Sequence, residues 1–273
     1  MSLRLITLFG TLLLVQAKIL PVAPDPKSPE NCKQNKPLIN AVNKKGDTAL
    51  HMAARVGYVN LTQQLIQSGA NVSIQNLDGN APIHLAVWYN NTDTLNALLS
   101  SGASLVVHNN EGYSPLLLAV ANNHYEMTNT LITNGASVNY AKKDGNTALH
   151  IAVSKGNVQI AKLLLGKGAN INVHNLQGNT PLHAAMYGSN EELLDLLVGS
   201  GADINAVNVD GYTALHTAVI QRNPDVIRIL VKKGIDLVAQ TKEGNTALHL
   251  ALAKGYPDIA SLLLTLNNAL CET

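Results

Sequence analysis

Charged and aromatic side chains are both scarce in this chain. Only 14% of its 273 residues are charged, the formal net charge is +1, and aromatic residues make up 4%. A near-neutral chain without a run of basic residues offers no electrostatic footprint for the phosphate backbone of a nucleic acid. We therefore expect no nucleic-acid partner.

Long apolar runs are also lacking, apart from one at the start of the chain. Arg4 precedes an apolar run over residues 5–15, and the small residue Ala17 follows, which is the pattern of an export signal. The run is shorter than the roughly 20 residues that cross a bilayer. We predict a cleaved signal peptide over residues 1–17, with an uncleaved membrane anchor as the alternative. Because no second hydrophobic stretch follows, we expect a mature chain that is secreted and extracellular (periplasmic in a bacterium), without membrane contact.

Proline is concentrated in one segment. Five of the ten prolines lie within residues 18–37, namely Pro21, Pro24, Pro26, Pro29 and Pro37. Prolines at this density favour extended conformations and cannot build a core. Residues 18–37 are therefore predicted to be a linker.

The main feature that the sequence does have is a strict repeat. Seven glycines lie 33 residues apart: Gly46, Gly79, Gly112, Gly145, Gly178, Gly211 and Gly244. Two residues after each glycine comes a variant of one tetrapeptide, such as Thr48-Ala49-Leu50-His51 or Thr180-Pro181-Leu182-His183. A fixed period without insertions is typical of a solenoid, in which each unit buries its apolar face against its neighbours.

On these motifs, residues 38–266 resemble the ankyrin repeat. The resemblance implies an all-α repeat solenoid of about seven units, each with a β-turn or hairpin followed by two antiparallel helices. Residues 267–273 are predicted to form a C-terminal tail.

The unit at residues 203–235 shows the expected local structure. Gly211 forms the turn, Thr213 stands where an N-cap residue would be, and a first helix is predicted over 214–220. A second helix is predicted over 225–232, because apolar residues recur there at helical spacing and Gly234 follows as a stop.

Six histidines recur at the end of the tetrapeptide: His51, His84, His150, His183, His216 and His249. Neighbouring units are spaced about 8–10 Å apart, so adjacent histidines cannot share a zinc ion whose ligands lie about 2.1 Å from it. The resemblance implies a structural role, in which the histidine bonds to the threonine hydroxyl and to loop backbone. We expect no metal site, no cofactor, no catalytic residue and no small-molecule substrate, and hence no enzyme.

Two cysteines, Cys32 and Cys271, lie at opposite ends of the repeats. Seven stacked units separate the ends by roughly 60–70 Å, whereas a disulfide needs α-carbons within about 7 Å. An internal disulfide is therefore not expected. The two cysteines are therefore expected either to be free thiols or to form an intermolecular disulfide.

Residues that vary between units carry the information about binding. In ankyrin proteins the positions next to the turn glycine and at the end of the first helix line a concave binding surface. Five of the nine aromatic residues after residue 17 occupy such positions, and exposed Trp and Tyr are frequent interface anchors. The predicted protein-binding residues are Trp88, Tyr89, Tyr113, Tyr187, Tyr212, Ile220, Leu77 and Arg55.

Two aromatic patches follow from this set. One combines Trp88, Tyr89 and Tyr113, and the other combines Tyr187, Tyr212 and Ile220, with a polar fourth unit between them. The alternative is that some of these tyrosines only brace neighbouring turns.

Three Asn-X-Ser/Thr sequons, at Asn60, Asn71 and Asn90, are possible N-glycosylation sites in a eukaryotic secretory pathway. The motif is short, and the chain is rich in asparagine. The sequons alone therefore do not establish glycosylation.

The pattern as a whole predicts a secreted, non-catalytic and monomeric protein that binds an unidentified partner protein through a concave face, such as an effector acting on a host or target cell. Two alternatives are a membrane-acting toxin component similar to the latrotoxins, and a membrane-anchored scaffold with an uncleaved leader. No amphipathic insertion segment is visible in the sequence.

The second and third units are predicted to be the least stable interior units of the array. Ala81 lacks the hydroxyl of the usual threonine, and Leu117 replaces the histidine. Each lost hydrogen bond costs about 0.5–1.5 kcal/mol. Hydrogen exchange should show faster opening in residues 71–136 than in the other interior units, and the opposite order would contradict this prediction.

Overall fold

The computed structural model describes residues 36–188 and 190–271. Over these ranges a short helical turn precedes seven consecutive pairs of helices, and no strand occurs apart from an isolated bridge between Ala141 and Thr147. The all-α repeat solenoid predicted from the sequence is confirmed. The helices are α1 (Lys36–Ile39), α2 (Ala49–Val56), α3 (Val59–Gln67), α4 (Pro82–Trp88), α5 (Thr92–Ser100), α6 (Pro115–Ala121), α7 (Tyr125–Thr133), α8 (Ala148–Ser154), α9 (Val158–Gly166), α10 (Pro181–Ala185), α11 (Glu191–Gly199), α12 (Ala214–Ile220), α13 (Pro224–Lys232), α14 (Ala247–Ala253) and α15 (Pro257–Cys271).

The sixth unit folds close to the sequence prediction. Thr213 has an extended backbone and precedes α12, which spans the predicted residues. Helix α13 begins at Pro224, one residue earlier than predicted, because proline at a first helical position needs no hydrogen-bond acceptor for its nitrogen. Gly234 follows that helix with φ of +83°, a left-handed conformation that glycine adopts without strain.

The core is continuous along the array. Small alanines such as Ala86 and Ala152 let the first helices approach one another, and leucines such as Leu98 and Leu164 from the second helices fill the space beneath them. These side chains are fully buried. Since each unit contributes only part of this cluster, a unit depends on its neighbours to bury its apolar face.

A buried histidine links most units to the next. In the first unit the N–H of Thr48 donates to Nδ1 of His51 at 3.1 Å, so Nδ1 carries no proton. The opposite nitrogen, Nε2, therefore donates to the carbonyl of Asn80 in the next turn, at 2.8 Å. His84, His150, His183 and His216 make the same bond to the next turn, at 2.8–3.2 Å. The structural role predicted for the histidines is confirmed for these five, whereas His249 in the last unit bonds to the hydroxyl of Thr246.

Consecutive turns also bond directly through their backbones. The N–H of Leu77 donates to the carbonyl of Lys45 at 3.0 Å, and that of Val209 donates to the carbonyl of Gln177 at 3.1 Å. A Cβ atom at Gly178 would lie 2.5 Å from the nitrogen of Val209. The turns can approach this closely only because a glycine stands there.

The junction between the third and fourth units lacks three of these links. Leu117 stands in the histidine position, and Lys142 replaces an asparagine that elsewhere joins adjacent turns through its amide. Among the described residues, the N–H of Lys143 also makes no bond to the preceding turn. Its Nζ instead donates to the carbonyl of Asn110 at 2.8 Å. This junction therefore has fewer backbone and buried bonds than its neighbours.

Two helices differ clearly in length from their counterparts in the other units. Helix α15 continues to Cys271, although a tail was predicted from residue 267. The glycine that follows the other second helices is replaced here by Asn267, so nothing stops the helix at that point. Helix α10 has only five residues, so Tyr187 lies in the turn after the helix.

Several predictions concern residues outside the described ranges. The signal peptide over 1–17, residues 18–35 of the predicted linker, Cys32, and residues 272–273 of the predicted tail all lie there. The last two linker residues, 36 and 37, form the first half of α1.

Acid should destabilise the array through its buried histidines. Burial lowers the pKa of His84 to about 4 and outweighs the opposing hydrogen bonds to the carbonyls of Tyr113 and Val107. An unfolded histidine has a pKa of about 6.5, so only the unfolded state gains protons as the pH falls from 6.5 to 4. The stabilisation is complete above pH 6.5 and is lost across this window. For His84 alone the loss is about 3 kcal/mol in the free energy of unfolding.

Denaturant unfolding at pH 7.5 and 4.5 checks this prediction with the variant His84→Leu. Leu117 shows that leucine fits the same position in the next unit. The variant should lose about 1 kcal/mol at pH 7.5, because its hydrogen bond is removed, yet it should lose less stability on acidification than the unaltered chain. An equal loss on acidification in both proteins would contradict the assignment.

Candidate functional site

The first groove lies between the turns and first helices of the first three units. Its volume is about 510 Å³, and Arg55, Trp88 and Tyr89 line it together. Trp88 is 55% exposed and Tyr89 is 51% exposed; Trp88 is the last residue of α4, and Tyr89 follows it. Three of the predicted binding residues therefore share one surface.

The other predicted residues of this region do not line the first groove. Leu77 is exposed at the tip of its turn. Tyr113 is partly buried against the core, and the Nζ of Lys142 lies 4.8 Å from the centre of its ring. The predicted first patch therefore comprises an exposed pair, Trp88 and Tyr89, and a tyrosine that packs between turns.

Charged side chains of both signs surround Trp88 and Tyr89. The first groove is also lined by Lys45, Arg55, Asp47, Asp78 and Glu111. Asp47 is 7% exposed, and its Oδ1 accepts a hydrogen bond of 2.7 Å from the amide of Asn76. None of the four ion pairs among the described residues involves a charged residue of this groove.

The second groove lies between the fifth and sixth units. It has a volume of about 250 Å³ and brings Tyr187, Tyr212 and Ile220 to one place. Tyr187 is 66% exposed, since it follows the short α10. Tyr212 is partly buried, and its ring meets His216 edge-on with 5.7 Å between ring centres. All three residues of the predicted second patch line this groove.

A third groove, the largest of those described, lies at the fourth unit. The sequence predicted only that this polar unit separates the two aromatic patches. This groove has a volume of about 1280 Å³ and is lined by Asn122, Asn123, Lys155 and Glu192, among others. The Nδ2 atom of Asn122 is buried without a hydrogen-bond partner. Asn123 has φ of +61° at a position where the first, fourth and seventh units carry glycine.

The buried histidines add no positive charge to these surfaces near neutral pH. Burial lowers the pKa of His51, His150, His183 and His216, and hydrogen bonds to backbone carbonyls oppose this effect without reversing it. Within the described ranges, no group of three or more His, Cys, Asp or Glu side chains is placed to hold a metal ion. No described helix is long and apolar enough to cross a membrane.

All three sequon asparagines are exposed. Asn60 lies on α3, Asn71 lies in the loop that follows it, and Asn90 directly follows Tyr89 with φ of +58°. A glycan on Asn90 would therefore adjoin the first groove.

Comparison with known proteins identifies the repeat. A family model described as ankyrin repeats matches the chain in three copies, over residues 27–109, 103–175 and 182–272. The search of curated proteins found no match to the chain.

Proposed function

We propose that this chain, which belongs to the ankyrin-repeat family, is a secreted, non-catalytic protein that binds a partner protein through the turn tips and first helices of its array. Members of the family generally mediate protein–protein interaction. The observation that carries the proposal is the first groove, where Trp88 and Tyr89 are both about half exposed next to charged residues. Aromatic residues in a groove with a polar rim are the usual anchors of protein interfaces.

The fold suits this role because the array holds its anchors in place before binding. The turns are bonded to one another, and α4 ends directly at Trp88. Little conformational entropy is therefore lost when a partner docks against this surface.

Export is the second part of the proposal. Its support is the sequence pattern of residues 1–17, with Arg4 before an apolar run that is too short to span a bilayer. An exported chain of this kind acts on proteins outside the cell that makes it, such as those of a host or target cell.

Removing the exposed aromatic pair should abolish partner capture. The full chain and the variant Trp88→Ala/Tyr89→Ala would be immobilised and exposed to extracellular fluid and target-cell lysate, with retained proteins identified by mass spectrometry. Loss of anchor residues of this type weakens binding by about 30-fold or more. We expect a partner that is retained by the unaltered chain and lost from the variant.

The control for capture is Tyr58→Ala, which removes a tyrosine of similar exposure, 56%, that lines neither aromatic groove. It should retain the partner. Equal retention by all three proteins would show that the first groove is not the binding surface.

Export should depend on the apolar run of the leader. Expressed in a eukaryotic secretory host, the chain should appear in the medium with Lys18 as its first residue, and Leu13→Arg should prevent this because it places a charge in the apolar run. The matched control Pro24→Arg adds the same charge outside the leader and should leave export unchanged. Retention of the unaltered chain in membranes with residues 1–17 intact would support the anchor alternative.

A further inference from the structure

The second groove has a simple charge pattern. Asp210 is the only ionised residue among those that line it, since burial lowers the pKa of His183, which stays neutral at physiological pH. The groove thus presents one negative charge beside two aromatic rings. The first groove is different, because Lys45 and Arg55 line it together with its carboxylates.

The backbone of Asp210 is fixed while its carboxylate is free to bind. Its N–H donates to Oδ1 of Asn208 and its carbonyl accepts from the N–H of Lys242, both at 3.0 Å. Across residues 36–188 and 190–271, the carboxylate itself takes part in no ion pair or side-chain hydrogen bond. Tyr187 likewise has no basic side chain over its ring in these ranges.

Elsewhere the same chain places a basic side chain between a ring and a carboxylate. Lys142 lies with its Nζ 4.8 Å from the centre of the Tyr113 ring and 3.0 Å from Oδ2 of Asp144. Partial burial opposes the charge of Lys142, but the hydrogen bond to Asp144 and the proximity of Tyr113 raise its pKa above the usual value. The ring and the carboxylate together therefore stabilise the ammonium group.

A second case occurs at the junction of the sixth and seventh units. The guanidinium carbon of Arg222 lies 5.3 Å from the centre of the Tyr256 ring, and its Nη2 lies 3.2 Å from Oδ2 of Asp258. Both lysine and arginine thus fit between a tyrosine ring and an aspartate in this array. Such contacts combine cation–π attraction with an ion pair.

We propose that the second groove binds a lysine or arginine side chain of the partner protein, held between the tyrosine rings and the carboxylate of Asp210. The volume of about 250 Å³ lies below that of typical small-molecule pockets, which matches a single side chain. Charge complementarity selects a basic side chain over an apolar or acidic one. The inference rests on the proposed function, because it names the chemistry of that partner.

The test uses the full chain and small probes in place of the partner. Nuclear magnetic resonance titrations would follow Tyr187, Tyr212 and Gln221 while Nα-acetyl-arginine methylamide or Nα-acetyl-lysine methylamide is added. The uncharged Nα-acetyl-norleucine methylamide is the control probe. We expect saturable shifts at these residues with the two cationic probes and none with the norleucine probe.

Two variants separate the contributions of charge and ring. Asp210→Asn and Tyr187→Leu alter exposed side chains, and each should weaken binding of the cationic probes about two- to fivefold. The matched control is Glu243→Gln, which removes the same charge from the next turn, where the residue that corresponds to Tyr187 is Ile220. It should leave the affinity unchanged.

The inference is overturned if the norleucine probe binds as well as the cationic ones, or if Asp210→Asn behaves like Glu243→Gln. Failure of the probes together with capture of a partner through Trp88 and Tyr89 would overturn this inference alone. Specific binding of the cationic probes without any captured partner would support the cation site in the second groove and overturn the proposed function.

Discussion

A neutral imidazole with a hydrogen bond at each nitrogen is the interaction on which this structure depends. In the first unit, His51 caps the start of its own helix through Nδ1 and holds the next turn through Nε2. One side chain therefore connects local helix formation to the stacking of units. Burial would be costly for a charged imidazole, and the fixed tautomer fits only because both neighbours present the correct groups.

The binding surface is formed by exposed residues that have no role in stacking the units. The turn glycines, the threonine–histidine pairs and the alanines of the first helices are needed for stacking, whereas Trp88, Tyr187 and Asp210 are exposed and lack such a structural task. Because turns are bonded in a row, the exposed residues keep a constant register. Binding specificity can then change by substitution without loss of the fold.

The sequence predicted the repeat framework well, because most units repeat the same local signals. The bounds of α12 follow from spacing and from helix-capping rules, and the role of the histidines follows from the resemblance to the ankyrin repeat. The surface was harder to predict, since it depends on contacts between units. Tyr113 packs beneath Lys142, which belongs to the next turn, and Tyr187 leaves its helix because α10 ends early. The third groove is lined by loop and helix residues of three units, and no single segment of sequence encodes such a cavity.

The weak junction between the third and fourth units has a consequence for stability. In a one-dimensional array, stability is the sum of unit and interface terms, so the missing bonds reduce the contribution of this interface. Leu117 and Lys142 thereby divide the array into a block of three units that carries the first groove and a block of four that carries the second. A partner protein that bound to both grooves would bridge this junction and stabilise it.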